Sequence, residues 1–296
     1  MRNFFTILKN TVIEYIDDEP FDLSAIVAYY SIFSLPAVLL IIISIAGMFF
    51  GENAVEGEIS HQIAIVLGED AANQVQMMIA NAYQEENTVL MTVVGIGVLL
   101  FGATTVLASM KRSLNRIWRV KTKKETSAIK KLAIDRIISF GIILAVGFLL
   151  LISLIVTTAL ATFGSWLRSV FPDMLYFLFF VVDFIVSMVV IAILFAMLFK
   201  FLPDVRVQWK SVWMGSLFTA FLFLLGKFGM GIYFGNLDPG SSFGAAGSVV
   251  LLLLWVNYSC LILFLGAKFT KKNAEFHNHF VEPKPNAEWT PMTFGA

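Results

Sequence analysis

The chain has 296 residues, of which 58% are hydrophobic and only 14% are charged. Soluble proteins carry about 25% charged residues, so this composition indicates an integral membrane protein. The formal net charge is zero, which excludes an overall basic field for attracting nucleic acid. The single cysteine, Cys260, lies in an apolar run and excludes an intramolecular disulfide.

The first residues predict an amphipathic helix and not a cleaved leader. Met1–Tyr15 spaces its apolar side chains at helical intervals among charged residues, and no cleavage site follows. The polar segment Asp17–Pro20 ends this pattern. We therefore expect residues 1–23 to form a cytoplasmic helix that lies on the membrane surface.

Six apolar runs are each long enough to cross a bilayer, which needs about 20 residues. Their approximate bounds are Ala25–Phe50, Thr88–Ser109, Ile137–Phe163, Met174–Phe199, Ser211–Phe234 and Phe243–Ala267. The prediction is an all-α polytopic membrane protein, with a domain of six transmembrane helices over residues 24–270.

The connections between the runs differ in charge, and this difference predicts the orientation. Gly51–Asn87 contains several acidic residues and no Lys or Arg, whereas residues 110–136 form a basic loop. Because Lys and Arg collect on the cytoplasmic side, both termini are predicted inside, including a tail over residues 271–296. Apolar residues recur at helical spacing in the acidic segment, so residues 51–87 are predicted to form an amphipathic helical cap outside.

The basic loop has two interpretations. Lysines and arginines beside Trp118 are suited to holding nucleic acid. The favoured interpretation is contact with anionic lipid headgroups, worth about 1 kcal/mol per residue near the membrane surface. Membrane lipids are therefore the predicted partners, and nucleic acid is not. The headgroup candidates are Lys111, Arg112, Arg116 and Arg119.

Two charged residues interrupt apolar runs and are the main functional candidates. Asp183 lies in the fourth run and Lys227 in the fifth. At about 1.5 Å per residue, they lie about 13 Å and 10 Å below the outer surface. A lone charge in lipid costs from about 2.5 to more than 10 kcal/mol, so we expect the two to face the bundle interior as partners. Two roles stay open, a pair that fixes helix packing or part of a polar pathway.

Further polar residues inside the runs are candidates for lining such a pathway. Hydroxyls and amides in a span either line a polar cavity or serve in helix packing. A small molecule or a lipid is the substrate that a pathway of this kind implies. The candidates are Tyr29, Tyr30, Ser34, Ser187 and Asn257.

Several short motifs follow one another along the chain. They are A-I-V-A-Y-Y-S-I-F-S-L-P at Ala25–Pro36, S-L-N-R-I-W at Ser113–Trp118, L-P-D-V at Leu202–Val205, W-M-G-S at Trp213–Ser216, F-G-A-A-G-S at Phe243–Ser248 and L-G-A-K at Leu265–Lys268. Together they resemble the YihY/BrkB family of bacterial inner-membrane proteins. The resemblance implies six spans and a role as a transporter or export factor of the envelope, in a family that also carried a ribonuclease label. Many members have an acidic residue where this chain has Lys268, so no family role carries over to that position.

Catalysis is not expected from these residues. Metal-dependent phosphodiester cleavage needs several histidine and carboxylate ligands around one or two ions, whereas the chain has only His61, His277 and His279. Nucleotide-binding glycine loops and hydrolase motifs are also absent from the sequence. The sequence therefore predicts no enzyme activity, no cofactor and no metal.

Two functions from different classes stay open. The first is a bacterial inner-membrane transporter or lipid-translocating protein with a polar cavity inside the helix bundle. The second is a non-transporting membrane scaffold that recruits partners through the basic loop or through Glu275–Ala296. A cavity that reaches Asp183 and Lys227 favours the first function, and a closed bundle favours the second.

Overall fold

A computed structural model describes residues 2–67, 69, 72–77, 89–123, 136–138, 141–142, 174–237 and 247–290. Helices make up most of this part of the chain, which agrees with the predicted all-α class. The elements are α1 (Arg2–Asp17), α2 (Pro20–Phe50), α3 (Glu52–Leu67), α4 (Val89–Trp118), β1 (Val120–Thr122), α5 (Met174–Phe201), β2 (Val205–Val207), α6 (Trp209–Leu237), α7 (Gly247–Phe276), β3 (Val281–Pro283) and β4 (Ala287–Trp289).

The helix predicted at the N terminus is present as α1, and it ends at Asp17. Glu19 adopts a left-handed backbone with φ of 55°, and Pro20 opens α2. Proline suits the first turn of a helix because the N–H that it lacks has no intrahelical partner there. The boundary predicted between residues 23 and 24 therefore lies inside α2.

The long helices extend beyond the apolar runs that predict them. α4 continues past Ser109 to Trp118, and α7 continues past Ala267 to Phe276. These extensions are rich in Lys and Arg, which are good helix formers in water. Residues 110–118 are consequently helical, and the tail boundary predicted at residue 271 falls within α7.

Three stretches of the described helices are long and apolar enough to cross a membrane. They are Phe184–Phe201 in α5, Trp209–Tyr233 in α6 and Val249–Phe276 in α7. A shorter apolar stretch covers Pro20–Leu35 of α2. Most of the predicted run Ile137–Phe163 lies outside the described residues. The number of six spans and the orientation stay predictions.

α2 and α7 run antiparallel. Ser24, near the start of α2, accepts a hydrogen bond from Asn257, whereas Ile43 lies in one core cluster with Leu251, near the start of α7. One end of the bundle therefore holds the start of α2 and the end of α7. α3 packs on the opposite end through Val55, where the sequence predicts the helical cap.

α6 and α7 approach each other closely at glycines. A Cβ added at Gly226 would lie 1.3 Å from the hydroxyl of Tyr258, so only glycine fits there. Small residues let helix backbones approach closely. In lipid, van der Waals packing between helices drives their association, because the hydrophobic effect does not. Two more contacts of the same kind join Gly215 to Thr270 and Thr219 to Gly266.

Two short antiparallel ladders tie the tail to the helix ends. β3 pairs with β2, which lies between α5 and α6, and β4 pairs with β1, which follows α4. These strands are not predicted from the sequence, because three residues are too few to show an alternating pattern. The tail after α7 is thus built into the domain as far as Thr290.

Candidate functional site

The basic end of the bundle is the end where α1, α4, α5 and α7 finish, where α2 and α6 start, and where the four strands lie. Its sequence segments were all predicted to share the cytoplasmic side. The described contacts bring them together, since the ladders join residues 120–122 and 205–207 to the tail. The side of the membrane that this end faces stays a prediction.

Lys268 is the centre of a buried charge cluster at the basic end. Its side chain is fully buried, and its Nζ lies 2.7 Å from Asp18 Oδ2 and 3.4 Å from Glu14 Oε2. Lys272 Nζ lies 2.5 Å from Glu14 Oε1 and 2.7 Å from Glu275 Oε2. Burial acts to raise the pKa of Glu14, but the two lysines outweigh it and hold that pKa below its usual value. The cluster fixes the end of α1 against the end of α7.

α1 packs along α7 through a second polar contact. The Tyr15 hydroxyl donates a hydrogen bond to the carbonyl of Leu261 at 2.6 Å, and burial raises the pKa of the Tyr15 phenol. Apolar side chains on the other side of α1 are exposed, and they suit the predicted position on the membrane surface. They are Phe5, Val12, Ile13 and Ile16.

The S-L-N-R-I-W and L-P-D-V motifs interlock at the basic end. Asn115 Nδ2 donates to Asp204 Oδ2 at 2.9 Å, and Asn115 Oδ1 accepts the backbone N–H of Asp204 at 2.8 Å. Lys111 Nζ lies 2.8 Å from Asp204 Oδ1, and both charged side chains are buried. These bonds join the end of α4 to the connection between α5 and β2.

The four headgroup candidates have different surroundings. Lys111 is buried and its ammonium is paired with a carboxylate, so it does not face lipid headgroups. Arg116 is exposed and forms an ion pair with Glu19. Arg112 and Arg119 are exposed, and their role as headgroup contacts stays a prediction.

Most residues of this network are not predicted as functional from the sequence. Asn115 and Asp204 are 89 residues apart, and Lys268 and Asp18 are 250 apart. Periodicity along the chain carries no information on such contacts. Motif resemblance is the one available signal, because Asn115, Asp204 and Lys268 each lie in a quoted motif.

A cleft of about 610 Å³ lies at the basic end, among α1, the end of α4, the end of α7 and the tail. Its volume is within the range of about 300–1,000 Å³ that is usual for small-ligand sites. Cationic, anionic and aromatic side chains share the lining. They are Glu14, Trp118, Arg119, Lys271, Lys272, Glu275, Val281, Trp289 and Thr290.

Lys227 lies half-buried in the apolar stretch of α6, and it has no ion pair or hydrogen bond within the described part of the chain. One turn earlier, Phe223 packs edge-on against Phe195 and Trp255, with centroids 5.7 Å and 5.8 Å away. One turn later, a Cβ added at Gly231 meets no described atom within 4 Å. Among the described residues, no atom therefore fills the position one turn after Lys227 on the same face of α6.

The predicted partner of Lys227 is on the neighbouring helix. α5 packs against α6 and carries Asp183, whose side chain lies outside the described residues. Ser187, one turn further along α5, is half-buried. The ion pair between Asp183 and Lys227 stays a prediction.

The other predicted pathway residues have different environments. Asn257 donates to the Ser24 hydroxyl at 3.1 Å and links α7 to α2. Ser34 is buried and donates to a carbonyl three residues earlier in its own helix at 3.3 Å. Tyr29 is 58% exposed and lies edge-on to Tyr30, with centroids 5.6 Å apart. A pathway role for these residues stays a prediction.

Histidines near the start of the tail contact the helices. His277 and His279 stack with centroids 5.5 Å apart, and His279 Nδ1 lies 2.6 Å from the Ser211 hydroxyl at the start of α6. Within the described ranges, no group of three or more His, Cys, Asp or Glu side chains is placed to hold a metal ion.

The helices that can cross a membrane, and the charge network that closes one end of them, define an α-helical membrane protein. The family model of the virulence factor BrkB matches residues 11–291. The chain therefore belongs to the BrkB family, as the motifs indicate.

Similar proteins are named as membrane proteins. The chain is 28% identical over 260 residues to a UPF0761 membrane protein of Pseudoalteromonas translucida, a match that covers 86% of this chain and 81% of the relative. A UPF0761 membrane protein of Psychromonas ingrahamii is 28% identical over 255 residues, with 84% and 81% covered. A third, from Delftia acidovorans, is 26% identical over 178 residues, which are 60% of this chain and 40% of that protein. No solved structure matches the chain.

Proposed function

We propose that this protein moves a lipid, or another component of the bacterial envelope, across the inner membrane, and that Lys227 lies on the path. Membership of a membrane-protein family and three helices able to cross a bilayer support the setting. The observation that carries the proposal is the position of Lys227, half-buried in an apolar helix, one turn before a glycine with no described atom within 4 Å of an added Cβ.

An ammonium in the apolar part of a bilayer is costly, by about 2.5 kcal/mol or more, unless polar groups surround it. Within the described residues no side chain neutralises Lys227, so water, Asp183 or a passing ligand is left to do so. A lysine is a strongly hydrated point charge that suits phosphate and carboxylate groups. The ligand class is therefore an anionic or zwitterionic amphiphile whose headgroup passes along α6.

The glycine that follows Lys227 on the same face of α6 supports the path. Gly231 lies one turn after Lys227, and no described atom lies within 4 Å of a Cβ added there. The described residues thus leave the position one turn after Lys227 open, while Met230 packs against the cluster that contains Leu251 and Leu252 of α7. A headgroup in the open part would lie within reach of its ammonium while acyl chains stay in the bilayer.

The test is a lipid-translocation assay with the full chain in liposomes that contain fluorescently labelled phosphatidylglycerol. A reductant that does not cross the membrane destroys the label on the outer leaflet, and inner-leaflet label is lost only after translocation. We expect the parent protein to accelerate this second loss and Lys227→Met to slow it by about tenfold, which corresponds to about 1.4 kcal/mol. Lys210→Met is the matched control, because Lys210 is exposed at the start of the same helix.

Two results would count against the proposal. A parent protein that translocates no faster than empty liposomes would favour the non-transporting scaffold. A well-folded Lys227→Met variant with the rate of the parent would remove Lys227 from the path and leave it a packing role.

A further inference from the structure

The cleft at the basic end has a surplus of positive charge. Lys272 forms ion pairs with Glu14 and Glu275, both of which line the same cleft. Lys271 and Arg119 also line it, and neither forms an ion pair with any residue that the structure describes. Within the described ranges, the two cations therefore have no carboxylate at ion-pair distance to neutralise them.

Lys271 is held in place despite its burial. Its side chain is 8% exposed, and its Nζ donates to the carbonyl of Ile117 at 3.2 Å. Lys268 and Arg119 are near enough to repel it, and Glu275 to attract it. A buried lysine that lacks a close anion is costly, and a bound anion would remove that cost.

Trp118 gives a second, independent indication of a ligand. Trp118 is one of the residues that line the cleft, its side chain is fully buried, and its indole N–H has no acceptor among the described residues. Buried N–H groups nearly always have an acceptor, and a missing one costs about 1–3 kcal/mol. An oxygen atom of a ligand in the cleft would supply it.

Backbone bonds fix the rim of the cleft. Arg119 has a left-handed backbone with φ of 56°, and its carbonyl accepts the Thr290 N–H at 2.9 Å. This bond continues the ladder of β1 and β4, in which Trp289 pairs with Val120, and it sets the Thr290 backbone beside that of Arg119. The tail thus completes the cleft, and the pairing of its short strands with β1 and β2 holds it there.

We propose that this cleft binds a phosphate group, held by Lys271 and Arg119 with the Trp118 N–H as a further donor. A phosphate oxygen accepts charge-assisted hydrogen bonds from ammonium and guanidinium groups, and a tetrahedral anion has enough oxygens for all three donors. The cleft lies just beyond the apolar part of α7, where a bilayer surface is expected. The phosphate belongs either to a lipid headgroup or to a water-soluble compound.

Binding to the full chain, purified in a neutral detergent and in phosphate-free buffer, tests the site. The probes are short-chain phosphatidic acid, inorganic phosphate and short-chain phosphatidylcholine, titrated by calorimetry and by tryptophan fluorescence. We expect Arg119→Gln and Lys271→Met each to weaken binding by about tenfold, and Trp118→Phe to weaken it by a smaller factor. Arg112→Gln removes an exposed charge of α4 that does not line the cleft, and it is the matched control.

The outcomes distinguish a lipid phosphate from a soluble phosphate, and they show whether the cleft binds phosphate at all. Binding of phosphatidic acid alone assigns the cleft to a lipid headgroup, and equal binding of inorganic phosphate assigns it to a soluble ligand. The proposal is overturned if neither anion binds, or if Arg112→Gln weakens binding as much as Arg119→Gln. Arg119 is exposed, so its variant keeps the test valid even where Lys271→Met does not fold.

Discussion

Replacing Lys268 by methionine tests whether the buried cluster at the basic end stabilises the protein. Two unit charges 2.7 Å apart, as Lys268 Nζ and Asp18 Oδ2 are, attract by about 6 kcal/mol at an effective dielectric of about 20. Removal of both ions from water offsets most of that attraction. The single change leaves Asp18 buried without its counter-ion, and such a loss costs about 3–5 kcal/mol. We expect Lys268→Met to lower the free energy of unfolding by that amount.

The assay is unfolding in mixed micelles by increasing sodium dodecyl sulfate, followed by tryptophan fluorescence and circular dichroism. The single variants Lys268→Met and Asp18→Asn are compared with the double variant, which should recover most of the stability because no buried charge stays unpaired. Lys271→Met is the matched control. Lys271 is a buried lysine of the same helix without a carboxylate partner, so its loss should cost about 1 kcal/mol or less.

Two outcomes would refute this reasoning. If Lys268→Met unfolds within about 1 kcal/mol of the parent, the charge of Asp18 is compensated by other groups or by water. If the double variant is as unstable as the sum of the single ones, the two side chains are not energetically coupled.

Three further predictions concern helix packing and topology. Asn115→Ala removes two bonds to a neighbouring aspartate and should lower the unfolding free energy by about 2–3 kcal/mol in the same assay, and an unchanged value would contradict the bonds. Gly226→Ala should reduce the folded yield in size-exclusion chromatography because its Cβ meets a tyrosine hydroxyl at 1.3 Å, whereas Gly229→Ala should not, and equal yields would refute the close contact. In a cysteine-free background, an impermeant thiol reagent should label Asn73→Cys in intact cells and Lys123→Cys only after permeabilisation, and the reverse would overturn the orientation.

The amino-acid sequence by itself determines the class of the protein and the course of its helices. Hydropathy and a period of 3.6 residues are local properties, so they mark both ends of α5 and α6 to within a few residues and the apolar part of α7. The end of α1 is also marked by a local signal, because acidic residues and then Pro20 follow it in the sequence. Helix ends that carry Lys and Arg are less well marked, since hydropathy falls where a span leaves lipid while the helix continues.

Only the tertiary structure decides which charges meet. In the sequence Lys268 is one of many basic residues next to a span, yet in the fold it is fully buried against Asp18 from the far end of the chain. The cleft has the same origin, because its lining comes from α1, α4, α7 and the tail. Long-range ion pairs depend on how the helices pack and on which charged side chains become buried side by side. Neither can be predicted from a local sequence pattern.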